Sequence, residues 1–171
     1  MNIDIRGVLQ GAQFVACQSP STILDVLARM RTIIQSLAGA AATSGTGTLN
    51  VPVTLMSFLR QDTQAILNLL ILRPIAETMQ FMAATQSIGA GSVICTDALR
   101  ISRDMSMLLQ SLNAQQPTMV GSLFVTVPAQ VIQNWLALVE DALTGLRVIP
   151  PPTGPAVPPV ATSSGLLAPG I

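Results

Sequence analysis

Two stretches of this chain repeat one another block by block. Gly11-Ala12-Gln13-Phe14-Val15-Ala16-Cys17 matches Gly89-Ala90-Gly91-Ser92-Val93-Ile94-Cys95, sharing Gly, Ala, Val and Cys at identical spacing, so that both cysteines fall in equivalent places. Met30 and Ile34-Gln35-Ser36-Leu37 match Met105 and Leu109-Gln110-Ser111-Leu112 after a three-residue shortening of the second copy. Val51-Pro52 matches Val127-Pro128, and each proline is followed 22 residues later by another, Pro74 or Pro150, with Leu67/Leu143 and Leu70/Leu146 agreeing between them. Four blocks in one order point to an internal duplication. Its period, about 76 to 78 residues, lies beyond the short periods of stacked solenoid repeats.

Each copy carries two helical patterns. Ser19 before Pro20 places a cap ahead of a proline at the first helical position, and Ile23, Leu27, Met30, Ile34 and Leu37 follow at four-three spacing on one face. In the second copy Thr96 is the expected cap, and Ala98, Ile101, Met105, Leu108 and Leu112 keep the stripe. Asp25 with Arg29, and Arg100 with Asp104, are expected as one-turn ion pairs. The second helix of each copy is expected to start at Pro52 or Pro128 and to end before Pro74 or Pro150, because proline suits a first turn and blocks continuation. Leu55, Leu59, Ile66 and Leu70 form one apolar face, and Ile132, Trp135, Leu136, Val139, Leu143 and Leu146 form the other.

The expected fold is therefore mainly α: duplicated helix-loop-helix units in a four- to five-helix bundle with pseudo-twofold symmetry. The divisions are an N-terminal arm over 1–10, a first repeat over 11–74, a connecting helix over 75–88 with Met79, Phe81 and Met82, and a second repeat over 89–150. Between the helices lie 39–50, rich in Gly, Thr and Ala, and 113–126. The run Leu123-Phe124-Val125-Thr126-Val127 has strand character, so short β segments are allowed. From 151 to 171 the chain is rich in proline and glycine, and Pro150, Pro151, Pro152, Pro155, Pro158 and Pro159 favour an extended polyproline path that builds no core of its own.

Charge is scarce. Only 9% of the residues are charged, against roughly 25% in a typical soluble domain, while 50% are hydrophobic. Gln, Ser, Thr and Asn stand where charges are usual, which keeps the surface polar while removing repulsion between copies. There is no Lys, His or Tyr, and all eight cations are Arg, at 6, 29, 31, 60, 73, 100, 103 and 147. Net charge is zero and the arginines are scattered, so no nucleic-acid footprint is visible.

The longest uncharged stretch, from Met105 to Val139, contains Gln110, Asn113, Gln115, Gln116, Pro117, Gln130, Gln133 and Asn134, which a spanning helix would bury in lipid. Membrane spanning is not expected. Phe14-Val15-Ala16-Cys17 loosely resembles a lipoprotein cleavage box, but its leader would carry Asp4 against a single Arg6, and Gln10 and Gln13 interrupt the apolar run. No cleavable signal is expected, and synthesis without a leader follows.

Several chemistries lack their residues. Without histidine neither a Ser-His-Asp nor a Cys-His arrangement can be built, and without lysine there is no Schiff base and no phosphate-loop lysine. Glu140 and Asp141 are adjacent on a helix and point about 100° apart, which suits a solvated face. Ser44-Gly45-Thr46-Gly47-Thr48 lacks the lysine of a phosphate loop and reads as a flexible connection. Cys17 and Cys95 have no neighbouring ligands for zinc. They are expected as buried thiols, as a bond across the pseudo-twofold axis, or as a bond between subunits. No cofactor and no metal is expected.

What remains is a non-enzymatic structural subunit that self-assembles into a filament, coat or shell through low-charge helical faces. Its expected partner is itself, with the proline-rich tail draped over a neighbour, and its expected place is an extracellular, cell-surface or particle-associated assembly. Two other readings are an amphipathic helical protein coating a lipid or polymer surface, and a small carrier with an apolar cavity between its halves.

Overall fold

A computed structural model of the chain describes residues 13–74, 91–117 and 119–150. The expected arm over 1–10, the connecting helix over 75–88 and the tail over 151–171 lie outside the described residues. Among these residues the chain is mostly helical, with four helices and six short strands. The order is β1 (Gln13–Cys17), α1 (Pro20–Thr43), β2 (Thr48–Pro52), α2 (Val53–Asn68), β3 (Leu70–Pro74), β4 (Val93–Cys95), α3 (Ala98–Ala114), β5 (Phe124–Pro128), α4 (Ala129–Leu143) and β6 (Leu146–Val148).

The strands form three antiparallel pairs. β1 pairs with β3, from Gln13 opposite Pro74 to Cys17 opposite Leu70, and β4 pairs with β6, from Val93 opposite Val148 to Cys95 opposite Leu146. β2 pairs with β5, running from Thr48 opposite Pro128 to Pro52 opposite Phe124, with Asn50 opposite Thr126 at the centre. Alternation sets the faces of this ladder: Val51, Val125 and Val127 are buried, whereas Asn50 and Thr126 face out.

Helices cross-pack as well. α1 lies chiefly on α4 and α2 on α3, while α3 also packs on α4. The core is filled by Ile23, Leu27, Met30 and Ile34 of α1, Met56, Leu59 and Ile66 of α2, Ile101, Met105, Leu108 and Leu112 of α3, and Ile132, Trp135 and Val139 of α4. Trp135 is wholly buried, and its indole N–H donates to Ser111 Oγ at 2.7 Å. A buried indole thereby keeps its one polar group satisfied.

Buried positions of α1 and α3 recur with one spacing. Ile23, Val26, Leu27, Met30 and Ile34 correspond step for step to Ile101, Asp104, Met105, Leu108 and Leu112. On this spacing Met30 stands with Leu108, three residues beyond the Met105 of the expected alignment. α2 and α4 agree likewise, with Met56, Leu59, Thr63 and Ile66 answering to Ile132, Trp135, Val139 and Ala142.

Three local expectations are corrected. α2 and α4 end at Asn68 and Leu143, not just before Pro74 and Pro150, because the following apolar residues give their backbone groups to β1 and β4. A short apolar run is compatible with either state, and pairing decides between them. The stretch 39–50 is not one loop: α1 continues to Thr43, and β2 begins at Thr48. The cap of α3 is Asp97, whose Oδ1 accepts from the Arg100 backbone N–H at 3.0 Å, while Thr96 Oγ1 donates to the Gly145 carbonyl at 3.0 Å.

The two ends of each long helix define two poles. α1 and α3 both start beside the cysteines, at Pro20 and Ala98, and both run toward the β2–β5 ladder. At the ladder pole, Val53 N–H donates to Leu123 O at 2.9 Å and Ala129 N–H donates to Gly47 O at 2.8 Å. At the cysteine pole, Gln18 N–H donates to Leu69 O at 2.7 Å and Thr96 N–H donates to Gly145 O at 2.8 Å.

Candidate functional site

Charge is concentrated where α3 meets α4. Asp97 and Arg100 lie in or beside the first turn of α3, Arg103 and Asp104 one turn on, and Asp141 at the end of α4. Arg100 Nε stands 3.3 Å from Asp97 Oδ2, and its Nη1 is 3.5 Å from Asp141 Oδ1 and 2.9 Å from the Thr144 hydroxyl. Arg103 Nη2 bridges Asp104 Oδ1 at 3.3 Å and Asp141 Oδ2 at 3.1 Å. The expected one-turn pair of Arg100 with Asp104 is therefore replaced by pairing across the two helices.

Asp104 is the unusual member. It occupies the apolar stripe of α3, its side chain is 3% exposed, and its Oδ2 is buried with no hydrogen-bond partner. Burial raises its carboxyl to about 6 from 3.8, the neighbouring Asp141 carboxylate adds to the rise through a shared hydrogen bond and its charge, and Arg103 opposes it. Asp141 moves the other way, held below the usual carboxylate range first by its bond to Asp104 and then by Arg100 and Arg103.

An open groove of about 560 Å³ lies over this cluster, with Met107, Asn134, Ala137 and Leu138 among its walls. Ser111 also lines it, but its hydroxyl accepts from Trp135. The arrangement links α3 to α4 through Arg100 and Arg103, which both reach Asp141. Among the described residues no group of three His, Cys, Asp or Glu side chains is placed to hold a metal ion.

A second clamp joins α1 to α2. Arg29 grips Asp62 in a two-point contact, Nη2 to Oδ1 at 2.7 Å and Nε to Oδ2 at 3.2 Å, in place of the expected pair with Asp25. Asp62 raises the Arg29 guanidinium above its ordinary value, chiefly through these hydrogen bonds.

Cys17 and Cys95 are joined in a disulfide within the chain, with Cα atoms 6.0 Å apart. It ties the end of β1 to the end of β4. Pro150 lies exposed just beyond β6, and Pro151, Pro152, Pro155, Pro158 and Pro159 lie outside the described residues. Several large apolar side chains stand on the surface: Phe58, Leu72, Leu99, Met119, Leu123 and Phe124 are each more than half exposed, and Val120 is fully exposed.

The sequence puts the cysteines in equivalent positions and sets Asp104 beside Arg100, but the burial of Asp104 was not foreseen. A signal was present, since Asp104 falls three residues after Ile101 and four before Leu108, inside the apolar stripe. No protein-family model, curated protein sequence or solved structure matches this chain. No helix among the described residues is long and apolar enough to cross a membrane.

Proposed function

We propose that this chain is a non-enzymatic structural subunit that self-assembles into a filament, coat or shell, built from two copies of one β-α-β-α-β unit. The observation that carries the reading is a surface with large exposed apolar side chains, Val120, Met119, Leu123, Leu99, Leu72 and Phe58, on a chain only 9% charged. Exposed apolar groups gain free energy when copies cover them, and scarce charge leaves little repulsion to oppose contact.

The duplication is supported by the matched burial of α1 with α3 and α2 with α4, and by the pairing of equivalent residues with each other. Asn50 faces Thr126, and Cys17 bonds Cys95. The matching hydrogen bonds of Val53 and Ala129, and those of Gln18 and Thr96, support a pseudo-twofold relation between the halves. The cross-packing of α1 on α4 and α2 on α3 suits two units that complete one core together. A disulfide favours an oxidising location, in line with an extracellular, cell-surface or particle-associated assembly.

Native mass by light scattering over a range of concentrations, with negative-stain microscopy of the same samples, tests the proposal. Discrete or open-ended particles are the expected result. Denaturing electrophoresis without reductant is expected to give the monomer mass, since the bond lies within one chain. A 17.9 kDa monomer at every concentration would overturn the proposal and favour the carrier reading.

A further inference from the structure

Beyond assembly, the chain has a groove of small-molecule size with a donor-poor carboxylate in its wall. The groove runs between α3 and α4 and has a volume of about 560 Å³, within the range of about 300–1,000 Å³ usual for small-ligand sites. Asp104 and Asp141 stand at one end of it. Ser111 and Asn134 stand at the other, seven residues away on each helix, a run of about 10 Å. Between the two ends the walls are apolar, formed by a half-exposed Met107 with Ala137 and Leu138.

The charged end holds more acid than base. Asp97 and Asp141 flank Arg100, and Asp104 and Asp141 flank Arg103, so three carboxylates share two guanidiniums. Within this network Asp104 is short of donors. Its side chain is 3% exposed, Oδ1 takes one bond from Arg103 Nη2 at 3.3 Å, and Oδ2 is buried without a hydrogen-bond partner. Buried polar atoms are nearly always satisfied, so an orphaned carboxylate oxygen in the wall of a groove calls for a donor. Burial raises the carboxyl to about 6, in keeping with an ion that lacks them. Arg103 is itself 60% exposed and reaches both carboxylates through one nitrogen, an arrangement that a competing cation displaces more readily than a two-point grip such as Arg29 on Asp62.

We propose that this groove binds a primary alkylammonium, with the ammonium at Asp104 and Asp141, Arg103 turned out toward solvent, and the alkyl chain along Met107, Ala137 and Leu138. An ammonium brings three donors, enough for Asp141 and for the orphaned Oδ2 of Asp104. Its charge also balances the excess carboxylate. The chain gains by covering apolar side chains that water now touches. At the far end Ser111 accepts from the Trp135 indole and Asn134 from Gln130, and these polar groups limit the apolar chain to about 10 Å. A carboxylate ligand has the wrong sign for this site, and an alcohol brings one donor and no charge.

Isothermal titration calorimetry of the full chain at pH 8 tests the site, with hexylammonium, hexanol and hexanoate as probes. At that pH the amine keeps its proton and Asp104 is ionised. Hexylammonium is expected to bind about tenfold more tightly than hexanol, and hexanoate is expected not to bind. Asp104→Asn is expected to weaken hexylammonium by about tenfold, and Arg103→Gln, which removes the resident cation, to strengthen it by a similar factor. Glu140→Gln makes the same charge change as Asp104→Asn beside the groove without lining it, and is expected to leave the affinity within about twofold. Circular dichroism verifies that each variant is folded. Failure of hexylammonium to bind, binding no tighter than that of hexanol, or no response to Arg103→Gln would overturn the proposal. Equal weakening by Asp104→Asn and Glu140→Gln would also overturn it, because the amine would then be drawn by surface charge and not held in the groove. Each of these outcomes bears on the groove alone and leaves self-assembly to its own test.

Discussion

The Thr126 hydroxyl donates to the Asn50 side-chain oxygen at 2.8 Å, across the central pair of the β2–β5 ladder. Under the proposed duplication these are equivalent residues, so the same place in the unit has become an acceptor in one half and a donor in the other. Both face solvent, and an exposed cross-strand pair contributes little. A double-mutant cycle with Asn50→Ala and Thr126→Ala, read by chemical denaturation, is expected to give a coupling of about 0.2–1 kcal/mol. On the opposite face of the ladder Val127→Ala removes buried methyl groups and is expected to cost more, about 1–3 kcal/mol. Equal effects on the two faces would contradict the ladder register.

Gly145 is fixed by close approach. A Cβ placed there would stand 2.8 Å from the Asp97 carbonyl oxygen and 2.8 Å from Ile101 Cγ1. Its carbonyl also accepts from the backbone of Thr96 and Asp97 and from the Thr96 hydroxyl. Gly145→Ala must push α4 away from the start of α3, and a loss of about 1–3 kcal/mol is expected. Gly39 is the control: it lies within α1 with nothing within 4 Å of its Cβ position. Gly39→Ala is expected to stabilise by about 0.5–1 kcal/mol, because alanine loses less backbone freedom on entering a helix. Thermal melts of the two variants should therefore shift in opposite directions.

The disulfide spans 78 residues of sequence, and closing so long a loop restricts the unfolded chain. Chain-entropy reasoning puts the effect of losing it at about 4 kcal/mol. Cys17→Ser with Cys95→Ser is expected to lower the denaturation midpoint strongly. Because α1 on α4 and α2 on α3 already hold the halves together, the variant is expected to keep native far-ultraviolet dichroism at low temperature. Loss of helical signal in the absence of denaturant would show that the bond is required for folding itself.

How much of this was legible beforehand differs by element. The helical stripes from Ile23 to Ile34 and from Ile101 to Leu112 announced α1 and α3, since one face of each is buried along its whole length. The strand character of 123–127 was visible in Phe, Val and Thr, and β5 is found there. Its partner β2 was hidden in Thr-Leu-Asn-Val-Pro, a sequence with little strand signal, because its pairing depends on a residue run 76 positions away. The same reason hid β3 and β6, whose leucines continue the pattern of the preceding helices. Cys17 and Cys95 were matched as equivalents, but spacing alone does not decide between thiols and a bond. Asp104 was expected to pair with Arg100, because its burial and its neighbours become visible only when Asp141 arrives from a second helix.

That cluster is expected to make stability depend on pH. A carboxyl raised in the folded state binds its proton more tightly there than in the unfolded chain, so Asp104 contributes stability that is fully present below about 3.8 and is lost as pH rises through about 6. The shift from 3.8 to about 6 corresponds to at most about 3 kcal/mol, at roughly 1.4 kcal/mol per unit. Asp141, held low, works in the opposite sense, adding stability above its folded value that is lost under stronger acid. Stability is therefore expected to fall between pH 4 and pH 6 and to change little from there to pH 8. Asp104→Asn keeps the shape and supplies a permanent donor toward Asp141, which removes the charge that must be buried at neutral pH. The variant is expected to be more stable than the unaltered chain at pH 8 by about 1–3 kcal/mol and to differ little from it at pH 4. Urea denaturation at the two pH values checks this, and a variant less stable at pH 8 would mean that ionised Asp104, bound by Arg103, is the form the fold prefers.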